Sequence, residues 1–244
     1  MAVGAAISIV CKTPLPGGGK SRLRPLLGAE DAAALSACFI RDVAAAIDAV
    51  PEAIGRTGYA IYAPAGTDAV LRPLLPASWR LVARQDADLG VVLFSAIAGF
   101  LAEGHDCALV INADSPTLPP VLVAAAVAAL QAPGERAVFG PAQDGGYYLV
   151  GLKHPHRRLF EEIRWSTPEV MAVTLERAAE IGLPVTLLPT WYDIDDAATL
   201  ALLEDELAGR PLPFAMTGLS GGPALHTRAF LARRAAAARP EAAS

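Results

Sequence analysis

Cysteine is scarce in this sequence: 3 residues in 244, at Cys11, Cys38 and Cys107. The number is odd, the spacing is wide and no Cys-x-x-Cys pair occurs. A disulfide framework and a cysteine-based zinc centre are thereby excluded, and a reducing cytoplasm is the expected setting. A basic surplus is missing too. Lys and Arg total 20 against 25 Asp and Glu, a formal net charge of -5 with a pI near 5.4, whereas a nucleic-acid-binding surface shows a basic stripe or patch. Nor is there a long hydrophobic run. The longest, "VVLFSAIAGFLA" from Val91 to Ala102, is well short of the roughly 20 residues that cross a bilayer, and it reads as a buried helix. The apolar start "MAVGAAISIV" has no basic residue before it and no small-residue cleavage pattern after it, so it reads as a first strand and not as a leader.

What is present is an alternation. Short apolar runs such as "AISIV", "YAIYA", "WRLVA" and "CALVIN" are interleaved with helical patterns such as "AALSACFIRDVAAAIDAV", "VLRPLL" and "PPVLVAAAVAAL". That rhythm specifies βαβ units and an α/β fold with a mainly parallel sheet covered on both faces. After Gly140 come an aromatic strand, "GGYYLVGL", and a helix from "STPEVMAVTLERAAEIG" with Ser166 as N-cap and Gly182 at its C′ position. A strand "PVTLLP" follows, and then a helix opening on the acidic "DIDDAATL". The domain is expected to span residues 1–208, followed by a C-terminal extension over 209–244 that is partly helical or disordered.

The first strand runs into "CKTPLPGGGKSRLRPLLG", residues 11–28. A Walker-type phosphate loop would need glycine at position 14, where Pro14 stands, without an N–H and with the wrong backbone angles. A dinucleotide fingerprint from Gly17 would need glycine at position 22, which is Arg22. What remains is a glycine loop at the carboxyl end of a first strand, where open α/β sheets bind ligands. Lys12, Gly17, Gly18, Gly19, Lys20, Ser21 and Arg22 are the candidate phosphate-binding residues, the glycines exposing N–H groups and the cations neutralising charge.

Two acidic segments complement that loop. "ALVINADSPTLPP" sets Asp114 just beyond a buried strand, and "WYDIDDAATL" offers Asp193, Asp195 and Asp196 at the exit of the last one. With Asp196 as helix cap, Asp114 and Asp195 form a carboxylate pair for Mg2+ or Mn2+ bridging to substrate phosphates. "GPAQDGGYYLVGL" is a glycine-linked acidic turn feeding an aromatic strand. The two histidines of "KHPH", His154 and His156, read as solvated surface residues.

Together, "KTPLPGGGKSRLRPLLG", "NADSPTLPP", "GPAQDGGYYLVGL", "IRWSTPEV" and "YDIDDAATL" resemble a bacterial family in the nucleotide-diphospho-sugar transferase superfamily, with the glycosyltransferase A-type fold. Members are generally described as glycosyltransferases of poorly defined substrate, some linked to arsenosugar biosynthesis. Two departures are visible: Lys20-Ser21-Arg22-Leu23 replaces a usual Lys-Thr-Arg-Leu, and Asn112-Ala113-Asp114 replaces Gly-Ser-Asp or Gly-Thr-Asp. The Asp-x-Asp motif of many glycosyltransferases is therefore absent here. The first motif is also similar to 2-phospho-lactate guanylyltransferase, which uses such a loop near a nucleoside triphosphate.

The resemblance implies a metal-dependent transferase acting on a nucleotide-activated donor. Glycosyl transfer from a nucleoside-diphospho-sugar to a small acceptor is the leading expectation. Nucleotidyl transfer from a triphosphate, releasing pyrophosphate, is the alternative, and a non-catalytic nucleotide-binding protein the third reading. Lys20, Asp114 and Asp144 are the catalytic candidates, and Asp144, Gly145, Gly146, Tyr147, Trp165, Ser166 and Thr167 the sugar or acceptor candidates. By residue type Asp144, Asp193, Glu161 and Glu162 all qualify as general base. Neither nucleic acid nor membrane is an expected partner, and homodimerisation is allowed.

Overall fold

A computed structural model describes residues 4–51, 54–84 and 88–237. Seven strands, β1 (Ala5–Lys12), β2 (Arg56–Ala63), β3 (Arg80–Ala83), β4 (Cys107–Asn112), β5 (Ala137–Pro141), β6 (Tyr147–Leu152) and β7 (Val185–Leu187), form one sheet. Their order is β3-β2-β1-β4-β6-β5-β7. β6 pairs antiparallel with both β4 and β5, and every other pairing is parallel. The described helices are α1 (Arg24–Asp48), α2 (Asp68–Leu71), α3 (Leu89–Ala102), α4 (Pro120–Gln131), α5 (Val170–Glu180), α6 (Ala197–Leu207) and α7 (Leu225–Ala237). The expected mainly parallel α/β sheet is thus observed, and no described helix is long and apolar enough to cross a membrane.

Successive side chains of a strand point to opposite faces, and β1 shows why its sequence is an unbroken apolar run. Ile7 and Ile9 enter a core cluster with Phe39 of α1, Val123 of α4 and Leu203 of α6. Ala6 and Val10 enter a second cluster on the other face with Leu93 and Ile97 of α3. Both faces are buried, so neither tolerates the polar alternation of a half-exposed strand. Chain order reverses between β1 and its neighbour β4, which opens a crevice beyond their carboxyl ends.

The "VLRPLL" segment is helical, as its place between two strands requires: it is the end of α2 followed by a 3-10 turn over Arg72–Leu74, and the Arg72 guanidinium ties that turn down on the carbonyls of Trp79 and Pro76. One segment departs from the sequence reading. The helix expected after Ser166 begins only at Val170, with Glu169 in the cap position, because Ser166 takes a left-handed backbone (φ 62) that no helix can start from. Its other end is as expected, with Gly182 left-handed (φ 63) just past the C-cap.

Beyond α6 the chain returns to the domain. α7 lies on α1, where the Asp42 carboxylate, 5% exposed, accepts the N–H groups of His226 (3.0 Å) and Thr227 (2.8 Å). These are first-turn donors that no helix satisfies internally. Phe230 adds its ring to the core on the α1 side. Residues 238–244, the end of the expected extension, lie outside the described residues.

Candidate active site

Three chain segments meet beyond the carboxyl ends of β1 and β4. The first is the loop from Thr13 to Leu23, which leaves β1 and enters α1. Its last part is tightly wound: Leu23 and Arg24 N–H groups both reach the Lys20 carbonyl (3.0 and 3.2 Å), and Lys20 itself is left-handed (φ 48). Non-glycine residues adopt that conformation at a cost, so it persists only where surroundings impose it. Here the surroundings are acidic. The Lys20 ammonium, on a side chain 7% exposed, lies 2.8 Å from Asp114 Oδ1 and 3.4 Å from Asp195 Oδ1, and donates to the Ile194 carbonyl at 2.5 Å.

The second segment is the turn after β4. The side-chain oxygen Oδ1 of Asn112 accepts the Asp114 N–H (3.2 Å) and the Ser115 hydroxyl (3.0 Å), a local turn of the kind short amide side chains favour. It points Asp114 back over the sheet edge. The third is the approach to α6. Ile194 N–H donates to the Asp114 carbonyl (2.9 Å) and so clamps the two acidic segments together. Asp196 is the N-cap of α6 in a reciprocal capping box: its carboxylate accepts Thr199 N–H, and Thr199 Oγ1 accepts Asp196 N–H. With Asp196 turned to the helix, Asp195 is left to face Lys20.

Around this junction lie two adjoining hollows of about 570 and 460 Å³, sharing Arg22, Asp114, Ser166 and Asp195 in their walls. The larger is lined by Lys12, Gly19, Lys20, Ser21, Arg22 and Arg84. Gly17 and Gly18 are not in its wall; they are exposed at the outer end of the loop. Cys11 also borders this hollow, but burial pushes its thiol up to about 12, with Asp114 adding to the effect, so it is an inert thiol.

The smaller hollow is lined by Asp144, Gly146, Tyr147, Trp165, Ser166, Thr167 and Asp193. The turn carrying Asp144 is braced by its own hydrogen bonds: Asp144 Oδ1 accepts Gly146 N–H (2.8 Å), and Ala142 N–H donates to the Gly146 carbonyl (3.0 Å). Gly145 stands outside the lining. It is left-handed (φ +89), a Cβ there would sit 2.1 Å from the Pro168 carbonyl oxygen, and its own carbonyl receives Met171 N–H at 2.8 Å. Its place is that of a buttress between the turn and α5. Trp165 and Tyr147 meet edge-to-face with centroids 6.3 Å apart, and Trp165 belongs to the partly buried rim of the core on the α3 side.

Of the general-base candidates, Asp144 and Asp193 line the cavity. Glu161 and Glu162 instead pair with Arg157, Arg158 and Arg177 on the surface. Burial pushes the Asp193 carboxyl up to about 7, reinforced by Asp144, Asp195 and Asp114 and opposed by Lys20. The histidines expected to be solvated are both held by Glu135, and only His154 is largely exposed. Arg84 is the cavity residue that no sequence motif indicated.

Comparison with known proteins places this geometry in context. A family model described as "Uncharacterized protein conserved in bacteria (DUF2064)" matches residues 30–167, more than half of the chain. The chain belongs to the DUF2064 family. The matched span takes in Asp114, Asp144 and Trp165 and leaves out the glycine loop and Asp195. No curated protein sequence matches. Among solved structures, a candidate nucleotide-diphospho-sugar transferase from Desulfovibrio desulfuricans G20 superposes with a TM-score of 0.80 at 28% identity, over 97% of this chain and 96% of that one. A CMP:2-keto-3-deoxy-manno-octonic acid synthetase complexed with CTP gives 0.56 at 14% identity, over 84% and 99%. A glucosyl-3-phosphoglycerate synthase from Mycobacterium tuberculosis, in complex with Mn2+, UDP and glucosyl-3-phosphoglycerate, gives 0.51 at 12%, over 86% and 81%. The last two share the fold with this DUF2064 chain and support nothing finer.

Proposed function

We propose that this DUF2064 protein is a divalent-metal-dependent transferase that moves a sugar from a nucleoside-diphospho-sugar to a small acceptor. One observation carries the reading: Lys20, Asp114 and Asp195 converge at the junction of a cationic hollow and an acidic, aromatic one. A donor lying across that junction would have its diphosphate beside Lys12, Lys20, Arg22 and Arg84, and its sugar towards Tyr147 and Trp165. The likeness to the Desulfovibrio structure over nearly the whole chain supports the same choice.

The donor set fits the metal. Both carboxylates reach toward one point, now held by an ammonium group, and an all-oxygen pair with room for phosphate oxygens and water suits Mg2+ or Mn2+ better than a softer ion. Among the described residues no group of three or more His, Cys, Asp or Glu forms a protein-only metal cage, so the remaining ligands would come from donor and solvent. Asp114 and Asp195 would hold the ion, whose chemistry there is neutralisation of the departing diphosphate.

In the transfer, the acceptor hydroxyl oxygen bonds to the anomeric carbon as the bond from that carbon to the diphosphate oxygen breaks. The electron pair leaves with the nucleoside diphosphate beside Lys20 and Arg22, and the hydroxyl proton passes to Asp144 or Asp193. A second reading, nucleotidyl transfer, is favoured by the four cations lining the larger hollow, since a triphosphate carries more charge than a diphospho-sugar. Calorimetry with Mn2+ separates the two. Selective binding of one among UDP-, GDP- and dTDP-sugars supports sugar transfer, whereas tight triphosphate binding with weak sugar-nucleotide binding supports nucleotidyl transfer and overturns the first reading.

A further inference from the structure

The acceptor side of the cleft is short of positive charge. Among the described residues lining the smaller hollow, Arg22 is the one cation, and it stands at the boundary with the larger hollow. Lys12, Lys20 and Arg84 all open onto the other side. The far part of the smaller hollow carries two carboxylates, Asp144 and Asp193, and Asp144 is already hydrogen-bonded to its own turn. An anion entering there would meet the Asp144 carboxylate and, above the range in which the Asp193 carboxyl titrates, a second negative group, with Lys20 and Arg22 set on the junction side.

The remaining walls combine the neutral polar residues Asn112, Ser166 and Thr167 with apolar and aromatic ones. Leu93 comes from α3, Val150 and Tyr147 from β6, and Trp165 from the loop before α5. The two rings stand edge-to-face. At about 460 Å³ the hollow is the size of ordinary small-molecule sites.

We infer that the acceptor is an uncharged or cationic hydroxyl compound with an apolar, ring-sized body, and that phosphorylated and carboxylated acceptors are rejected. This rests on the transferase reading above for the word acceptor, and on the cavity alone for the charge preference. It sets this chain apart from the Mycobacterium synthase, whose bound product carries a phosphoglycerate, and from guanylyl transfer to a phospho-acid.

Ligand-detected NMR on the full chain at about pH 8.5, above the range in which the Asp193 carboxyl titrates, and without donor, tests the preference with three probes of one shape: tyramine, 4-hydroxybenzyl alcohol and 4-hydroxybenzoate. The first two are expected to bind more than about tenfold tighter than the carboxylate, since unpaired like charges at a binding surface are strongly disfavoured. In the near-isosteric double variant Asp144→Asn/Asp193→Asn the gap should close. Equal or tighter binding of 4-hydroxybenzoate, binding of none of the three, or an unchanged gap in the double variant would each overturn the inference. Calorimetry of donors with Mn2+ runs separately. Failure there with the charge preference intact removes the transferase reading and leaves the pocket's selectivity standing.

Discussion

The two hollows of the cleft are built by different means. The phosphate side depends on a loop with few side-chain ties, held by a left-handed Lys20 and a single cluster of ionic contacts. The acceptor side rests on paired backbone: the Ala142–Gly146 turn closes on itself, and Trp191 donates its N–H to the Pro141 carbonyl while its own carbonyl accepts Gln143 N–H, which fixes the Asp193 segment against β5. Charge follows the same division, cationic on the loop and acidic on the turn. A loop with few ties is cheap to deform, while a pocket that selects by shape and charge must not give.

Loss of the junction should have the largest effect. Asp114→Asn is expected to lower turnover about 10²–10³-fold, the range seen when one transition-state charge contact is deleted, and to abolish metal-dependent nucleotide binding with little change in Tm. Retained Mn2+ dependence would remove Asp114 from the metal. Next, Lys12→Ala with Arg84→Ala, both of which line the larger hollow alone, should weaken nucleotide binding roughly ten- to a hundredfold and flatten its salt dependence, while leaving the affinity for tyramine unchanged. An equal loss on both sides would mean that the hollows are not separable.

Lys20→Met sharpens the comparison differently. Without the ammonium, Asp114 and Asp195 face one another uncompensated, so Mn2+ affinity of the nucleotide-free protein should rise several-fold while nucleotide affinity falls, both read by titration. An unchanged Mn2+ affinity would show that the two carboxylates do not share the ion. Gly145→Ala tests the rigid side. Forcing a side chain into a left-handed position costs about 1–3 kcal/mol, before the collision with Pro168, and each kcal/mol lowers Tm by roughly 2–4 °C at this chain length. Donor binding should survive in the folded fraction. The smallest effect is expected of Asp196→Ala, about 1 kcal/mol from the lost cap of α6, visible in Tm and not in metal affinity.

The sequence reached some of this and not the rest, for identifiable reasons. The α/β order, the glycine loop, the strand-end aspartates and the capping role of Asp196 are local patterns, and local patterns can be read from spacing. The partnership of Lys20 with Asp195 spans 175 residues, and nothing in either segment reveals it. Lys20 therefore reads from sequence as a free phosphate ligand, whereas in the fold it is bound to the two carboxylates assigned to the metal. Arg84 follows an ordinary edge strand with no motif around it. Gly145 reads as a ligand-side glycine because a buttress and a close-approach glycine share the same residue type. Glu161 and Glu162 lost their candidacy only when their arginine partners were placed beside them.

The Asp42 clasp on α7 has a consequence for the order of events during synthesis. A helix cap drawn from 184 residues upstream cannot form until α7 itself has been made, so through most of translation the Asp42 carboxylate lacks the two N–H donors it holds in the finished fold. The first turn of α7 supplies both, and Phe230 joins the α1-side core with it. The helix that contributes nothing to the cleft is the one that tells the nascent chain its first helix is finished.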